Sequence, residues 1–152
     1  LTANFVGEHH GLSSELGQAP QLPDATSLPD PRTMGLPTDG LFGRVEYRMA
    51  EVPGWAVGKP SGDPTSILWQ RLDDDAVIDW PALGLLCDSA PPPIMELGDL
   101  TSMTVQLTVH FHRLPEPRTW VASKFTTRHV TATCWPSHAS WRSCFSPVLR
   151  SE

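Results

Sequence analysis

The chain has 152 residues, enough for one domain, or one domain and a tail, around an ordinary core. Its 17 acidic side chains outnumber the 11 basic ones, and the formal net charge of −6 argues against nucleic-acid binding, which draws on a basic patch. No apolar run approaches the roughly 18 residues that cross a bilayer, and no basic-then-apolar leader opens the sequence. Opening on Leu1 rather than Met, the chain reads as a fragment or a processed form. Its three cysteines, Cys87, Cys134 and Cys144, make no secreted disulfide framework, so a cytoplasmic location is expected.

Residues 1–7 read as a short strand. Residues 8–37 carry no sustained periodicity, and five of the chain's 16 prolines fall between Pro20 and Pro37. That stretch reads as a linker or extended loop, placed outside the core because a structureless run of such length is unusual inside a domain. Residues 44–49 alternate polar and apolar and predict a strand. Pro53-Gly54 marks a turn and residues 58–65 a loop. Residues 66–72 predict a second, largely buried strand that ends at the acidic turn Asp73-Asp74-Asp75. Asp79-Trp80-Pro81 has the pattern of a helix start, with Asp79 as N-cap and Pro81 in the first turn. The helix should run to about Ala90, where Pro91, Pro92 and Pro93 stop it. Cys87 within it reads as a small core residue.

Residues 102–112 alternate without a break. Met103, Val105, Leu107, Val109 and Phe111 are apolar; Ser102, Thr104, Gln106, Thr108, His110 and His112 are polar. This predicts a long, half-buried antiparallel strand. Glu116-Pro117 falls in a turn, and residues 120–130 predict a further strand. Residues 131–152 show neither a strand nor a helix period and receive no assignment. The order strand, strand, helix, long strand, turn, long strand predicts an α+β fold with the sheet curled around one central helix.

Three segments together carry a family resemblance. They are residues 78–93 (Ile-Asp-Trp-Pro-Ala-Leu-Gly-Leu-Leu-Cys-Asp-Ser-Ala-Pro-Pro-Pro), 104–113 (Thr-Val-Gln-Leu-Thr-Val-His-Phe-His-Arg) and 125–130 (Phe-Thr-Thr-Arg-His-Val). Over about residues 42–130 the chain resembles the second half of the TesB-like double hot-dog acyl-CoA thioesterases, the thioesterase-like superfamily. Such proteins carry two hot-dog units joined by a Pro-rich linker. The resemblance implies a hot-dog fold, incomplete here. It implies a remnant strand of a first unit at 1–7, a Pro-rich linker at 8–41, a hot-dog thioesterase-like domain at 42–130 and an atypical tail at 131–152. The family continues with two further strands ending in a Leu-Val-Ala-x-x-x-Gln type of motif, which this tail lacks; an out-of-frame translation would look like it. The resemblance further implies acyl-CoA hydrolysis to free acid and CoA, a place in lipid metabolism and no cofactor. Its expected partners are an acyl-CoA substrate and further copies of the chain through hot-dog pairing, with no nucleic acid and no membrane.

Thioester hydrolysis of this type needs an oriented water rather than a covalent nucleophile. Backbone amides near a helix N-terminus can stabilise the developing oxyanion. In the resembled family an Asp, a Thr or Ser, and a Gln hold the water. By position Asp88 matches the acid and Thr104 the hydroxyl, while the Gln has no counterpart. Gln106 shares Thr104's face of the strand and is a candidate contact for substrate or water. The bland readings are a local cap for Asp88 and an ordinary strand threonine for Thr104, although an acid at a helix C-terminus opposes the helix dipole. His110 and His112 share a face but more often make a solvated surface than a metal site, and Cys134, His138 and Cys144 lack the close pairs of a zinc site, so no metal is expected. Ser89 lacks a nucleophile elbow, and residues 58–63 lack phosphate-loop spacing. The rival reading is a catalytically inactive acyl-CoA-binding or remnant hot-dog protein that serves as an interaction module. A sheet short of its last strands would expose edges and favour association.

Overall fold

The computed structural model describes residues 20–34, 38–98, 107–111, 113–114, 119–135, 138–145 and 148–151. Among them are the strands β1 (Val45–Arg48), β2 (Thr65–Leu72), β3 (Val121–Trp135), β4 (His138–Phe145) and β5 (Val148–Ser151), and the helix α1 (Trp80–Ser89). The strands form one antiparallel sheet in the order β1-β2-β3-β4, with β5 also paired to β3. The α+β expectation holds, and the predicted strands at 44–49 and 66–72 match β1 and β2 closely.

Helix α1 forms where its local signals place it. The Asp79 carboxylate accepts from the amide of Ala82 at 2.8 Å, and Pro81 occupies the first turn, where its missing N–H costs nothing. Ala90 leaves the helix in an extended conformation, ahead of the three prolines.

Strand register decides which side chains share a face. Tyr47 pairs with Gln70, and Gln70 with Val121. These residues, with Val45, Leu68 and Ser123, point to one side of the sheet, where α1 lays Leu83 and Leu86 against them. Burial of these apolar side chains at roughly 1.5–3 kcal/mol each is the main force holding helix to sheet. The other face presents Glu46, Arg48, Trp69, Arg71 and Ala122.

The proline-rich segment covers that second face, which corrects its placement outside the core. Ala25 packs with Trp69 and Ala122, flanked by Leu22, Leu28 and Trp120. The indole N–H of Trp69 donates to the Pro23 carbonyl at 2.8 Å. Arg32 pairs with Asp30 and Asp73, while Arg48 and Arg71 pair with the buried Glu46 and lie over the Trp120 ring, 5.4 and 4.7 Å from its centroid. The second face buries Trp69 and Ala122 beside its charged side chains, and a proline-rich chain with short 3-10 turns covers them without adding a strand.

The long strand predicted at 102–112 is also corrected as far as it is described. Residues 107–111 are irregular chain; residues 102–106 and 112 lie outside the described residues. The physical reason is a missing partner: among the described residues no strand pairs with this segment, and both sides of β3 are taken. β2 takes one side of β3, and β5 and β4 take the other, through Val121–Lys124 and onward from Thr127. Without a ladder partner an alternating sequence is not a strand. The predicted strand at 120–130 is part of β3, which runs on to Trp135. The stretch 131–152, which received no assignment from sequence, supplies the end of β3 and all of β4 and β5.

Candidate active site

Asp88 lies in the last turn of α1 with its side chain exposed. It lines a small cleft of about 40 Å³ together with Cys87, Ala90, Pro92, Leu107 and Phe125. That volume accommodates a very small number of waters. The cleft forms because three separate elements converge: the end of α1, the proline segment that leaves it, and Phe125 of β3. Leu107, which the strand pattern placed on the apolar face, reaches the same cleft from the irregular segment. Thr104 and Gln106, the other two sequence candidates, lie outside the described residues.

Two neighbours of Asp88 are unsuited to nucleophilic attack. Burial, then the negative charge of Asp88, pushes the Cys87 thiol up to about 11, so the reactive thiolate is scarce at neutral pH. The buried Ser89 hydroxyl is engaged with the Leu86 carbonyl at 3.2 Å. What the cleft offers instead is a carboxylate beside a water-sized space between apolar walls. Such a group can take a proton from water as the water attacks.

The turn bearing Asp88 is fixed from the sheet side. Gln70, fully buried in β2, donates through Nε2 to the Leu86 carbonyl and to Ser89 Oγ, each at 3.1 Å. Its Oε1 accepts from Ser123 Oγ of β3 at 2.8 Å. The Tyr47 hydroxyl of β1 donates to the Ser89 carbonyl at 2.7 Å. Burial pushes the Tyr47 phenol up, against the opposing effect of the hydrogen bond to Ser89, which keeps it a donor across the neutral range. Sequence reasoning passed over Gln70, Tyr47 and Ser123 in this role. The available signal was a single amide inside the apolar run of β2.

The helix N-terminus is not placed to help Asp88. Trp80 and Asp88 are eight residues apart, about 12 Å along the axis at 1.5 Å per residue. Oxyanion donors for a reaction at Asp88 therefore do not come from the start of α1. Among the described residues no group of three or more His, Cys, Asp or Glu side chains is placed to hold a metal ion, and His110 is exposed.

A larger cavity, about 180 Å³, lies on the other side of the proline segment. Phe42, Tyr47, Met49, Trp55, Pro91 and Met95 line it. Ala90 and Pro92 face the Asp88 cleft while Pro91 faces this cavity, so the segment divides the two. Arg32 also borders the cavity, but its guanidinium is engaged by Asp30 and Asp73. Its lining is apolar otherwise, so the candidate reaction centre is the smaller cleft.

A family model described as acyl-CoA thioesterase C-terminal domain matches residues 17–133, well over half of the chain. No curated protein and no solved structure matched. The antiparallel sheet with one helix packed against it is consistent with an incomplete hot-dog fold.

Proposed function

Since the chain belongs to the acyl-CoA thioesterase C-terminal domain family, we propose that it hydrolyses acyl-CoA thioesters to free acid and CoA by direct attack of water held at Asp88. The observation that carries this reading is the exposed Asp88 carboxylate on a water-sized cleft within a chain of that family. Asp88 accepts a proton as the water oxygen bonds to the thioester carbonyl carbon. The tetrahedral intermediate then breaks its carbon–sulfur bond, and the proton passes to the departing CoA sulfur. Thr104 helps hold the water and Gln106 contacts water or substrate; Thr104 precedes the cleft residue Leu107 by three positions in the sequence. No cofactor takes part.

Homo-oligomerisation is part of the same proposal. Trp80, Leu85, Leu107 and Phe111 leave 38–43% of their surface exposed around α1 and the cleft, and Trp80 meets Phe111 edge-on at 5.4 Å. A second copy covering these side chains would enclose the cleft. No helix among the described residues is long and apolar enough to cross a membrane. A cytoplasmic setting in lipid metabolism is the context this chemistry fits.

Free-thiol release from medium- and long-chain acyl-CoA tests the reading. The chain should release CoA, and Asp88→Asn should lower kcat by about 10²-fold or more. Binding of acyl-CoA without release by the unaltered chain would support the rival, a non-catalytic acyl-CoA-binding protein.

A further inference from the structure

We infer that Gln70 is a positioning residue: from the middle of β2 it fixes the last turn of α1 and so sets where the Asp88 carboxylate stands over its cleft. The inference rests on the reading of Asp88 as the acid that holds the water.

The last four carbonyls of an α-helix have no partner within it. Helices commonly meet this need with a glycine in the left-handed conformation just past the end. Here Ala90 is extended and three prolines without N–H groups follow, so that solution is closed. The sheet supplies the donors instead. Gln70 Nε2 reaches the Leu86 carbonyl, and the Tyr47 hydroxyl reaches the Ser89 carbonyl. Leu86 and Ser89 bracket Asp88, one turn apart on the buried side of α1, while Asp88 points outward.

The amide orientation is chemically determined. A carbonyl only accepts, so the Gln70 side facing Leu86 must be its NH2 group. Both N–H bonds of that group are then used, one on Leu86 and one on Ser89 Oγ, and the Ser89 hydroxyl in turn donates a hydrogen bond to the Leu86 carbonyl. The remaining oxygen of Gln70 is held by Ser123 of the neighbouring strand. An amide whose two N–H bonds and oxygen are all engaged, between two strands and a helix, has one orientation. A buried network of this kind trades sequence freedom for geometric definition. Tyr47 is the direct register partner of Gln70, and Ser123, paired with Leu68, is its diagonal neighbour on the same face, so β1 and β2 hold the turn while β3 holds Gln70.

Hydrolysis is sensitive to such placement, since an error near 1 Å at a reacting group can cost about 10²-fold in rate. Gln70→Leu keeps the volume and removes all three hydrogen bonds. Tyr47→Phe removes one bond, keeps the ring, and serves as the milder variant should Gln70→Leu not fold. Both are measured in the full chain by two readouts: kcat and KM for acyl-CoA hydrolysis, and amide hydrogen exchange over residues 86–90. In Gln70→Leu exchange should accelerate at 86–90 and stay unchanged in β1, while kcat falls about tenfold or more and KM changes little. Tyr47→Phe should move the same quantities less. Adding Asp88→Asn to Gln70→Leu should cost far less than Asp88→Asn costs alone, because both changes remove one function.

Fully additive losses, or a fall in kcat matched by the fraction of unfolded protein, would overturn the positioning role. Unchanged exchange at 86–90 in both variants would overturn it whatever the activity. If the unaltered chain proves inactive but exchange at 86–90 responds as stated, the thioesterase reading fails and the control of the Asp88 turn by Gln70 stands.

Discussion

Glu96 illustrates how a single side chain holds a loop in this protein. It is buried, and its carboxylate accepts from the Ser61 amide at 2.6 Å. Burial pushes this carboxyl up, but the Ser61 amide, with those of Trp55 and Gly54, outweighs it and holds the group below the ordinary glutamate range. A carboxyl with a lowered folded-state pKa adds stability above its unfolded value, and that stability is lost as pH falls through the folded value. Thermal stability should therefore drop as the medium is acidified below about pH 4.5, the ordinary value for the group. Glu96→Gln should flatten the curve in that window; a slope equal to the unaltered protein's would contradict the assignment. Close packing around the same carboxylate explains Gly54. A Cβ there would meet the Lys59 carbonyl oxygen at 2.3 Å and Glu96 Oε2 at 2.9 Å. Gly54→Ala should cost about 1–3 kcal/mol in a denaturant titration. Thr127 gives the opposite case. It is buried in β3 with its hydroxyl unpartnered among the described residues. Thr127→Val, which keeps the shape, should leave the melting temperature unchanged or raise it.

At the level of elements, what was legible in the sequence is what local chemistry decides. The N-cap at Asp79, the first-turn Pro81 and the stop at the three prolines all specify α1 without reference to the rest of the chain. Asp79→Ala should accordingly destabilise the protein by about 1 kcal/mol, measurable by denaturant unfolding. Asp88 becomes a candidate through the family resemblance, with the unfavourable position of an acid at a helix C-terminus as a lesser cue. What depended on partners was not legible. The alternation at 102–112 states which side chains would share a face, but not whether an edge is free to pair with, and β4 and β5 occupy that edge of β3. Proline content between Pro20 and Pro37 correctly excludes a ladder strand yet is silent about burial. The segment's place comes from distant partners: Trp69 donates to the Pro23 carbonyl and, with Ala122, packs against Ala25. Gln70 was hidden for the same reason. A lone amide in an apolar strand must find partners if buried, but its burial follows from sheet order, which the strand's own residues do not state.

Over its described residues the molecule combines a two-faced sheet, the helix α1 and a candidate site at the helix's end. Its charge chemistry is gathered on the face away from that site, where Glu46 engages Arg48 and Arg71, whose guanidinium groups lie on Trp120. The side that carries Asp88 is instead apolar at its rim. Exposed Trp80, Leu85, Leu107 and Phe111 there lead to an association prediction: light scattering should find a mass above that of one chain, and Phe111→Asp should reduce it. A monodisperse monomer would contradict the proposed pairing.

The central claim is that water held at Asp88 attacks the thioester directly. A single turnover of acyl-CoA in oxygen-18 water, with enzyme in excess, tests it most directly. Direct attack by water places one oxygen-18 atom in the freed carboxylate and none in the Asp88 side chain. Unlabelled acid from that first turnover, with label appearing in Asp88 afterwards, would mean that the carboxylate itself attacks, and the water mechanism would be wrong.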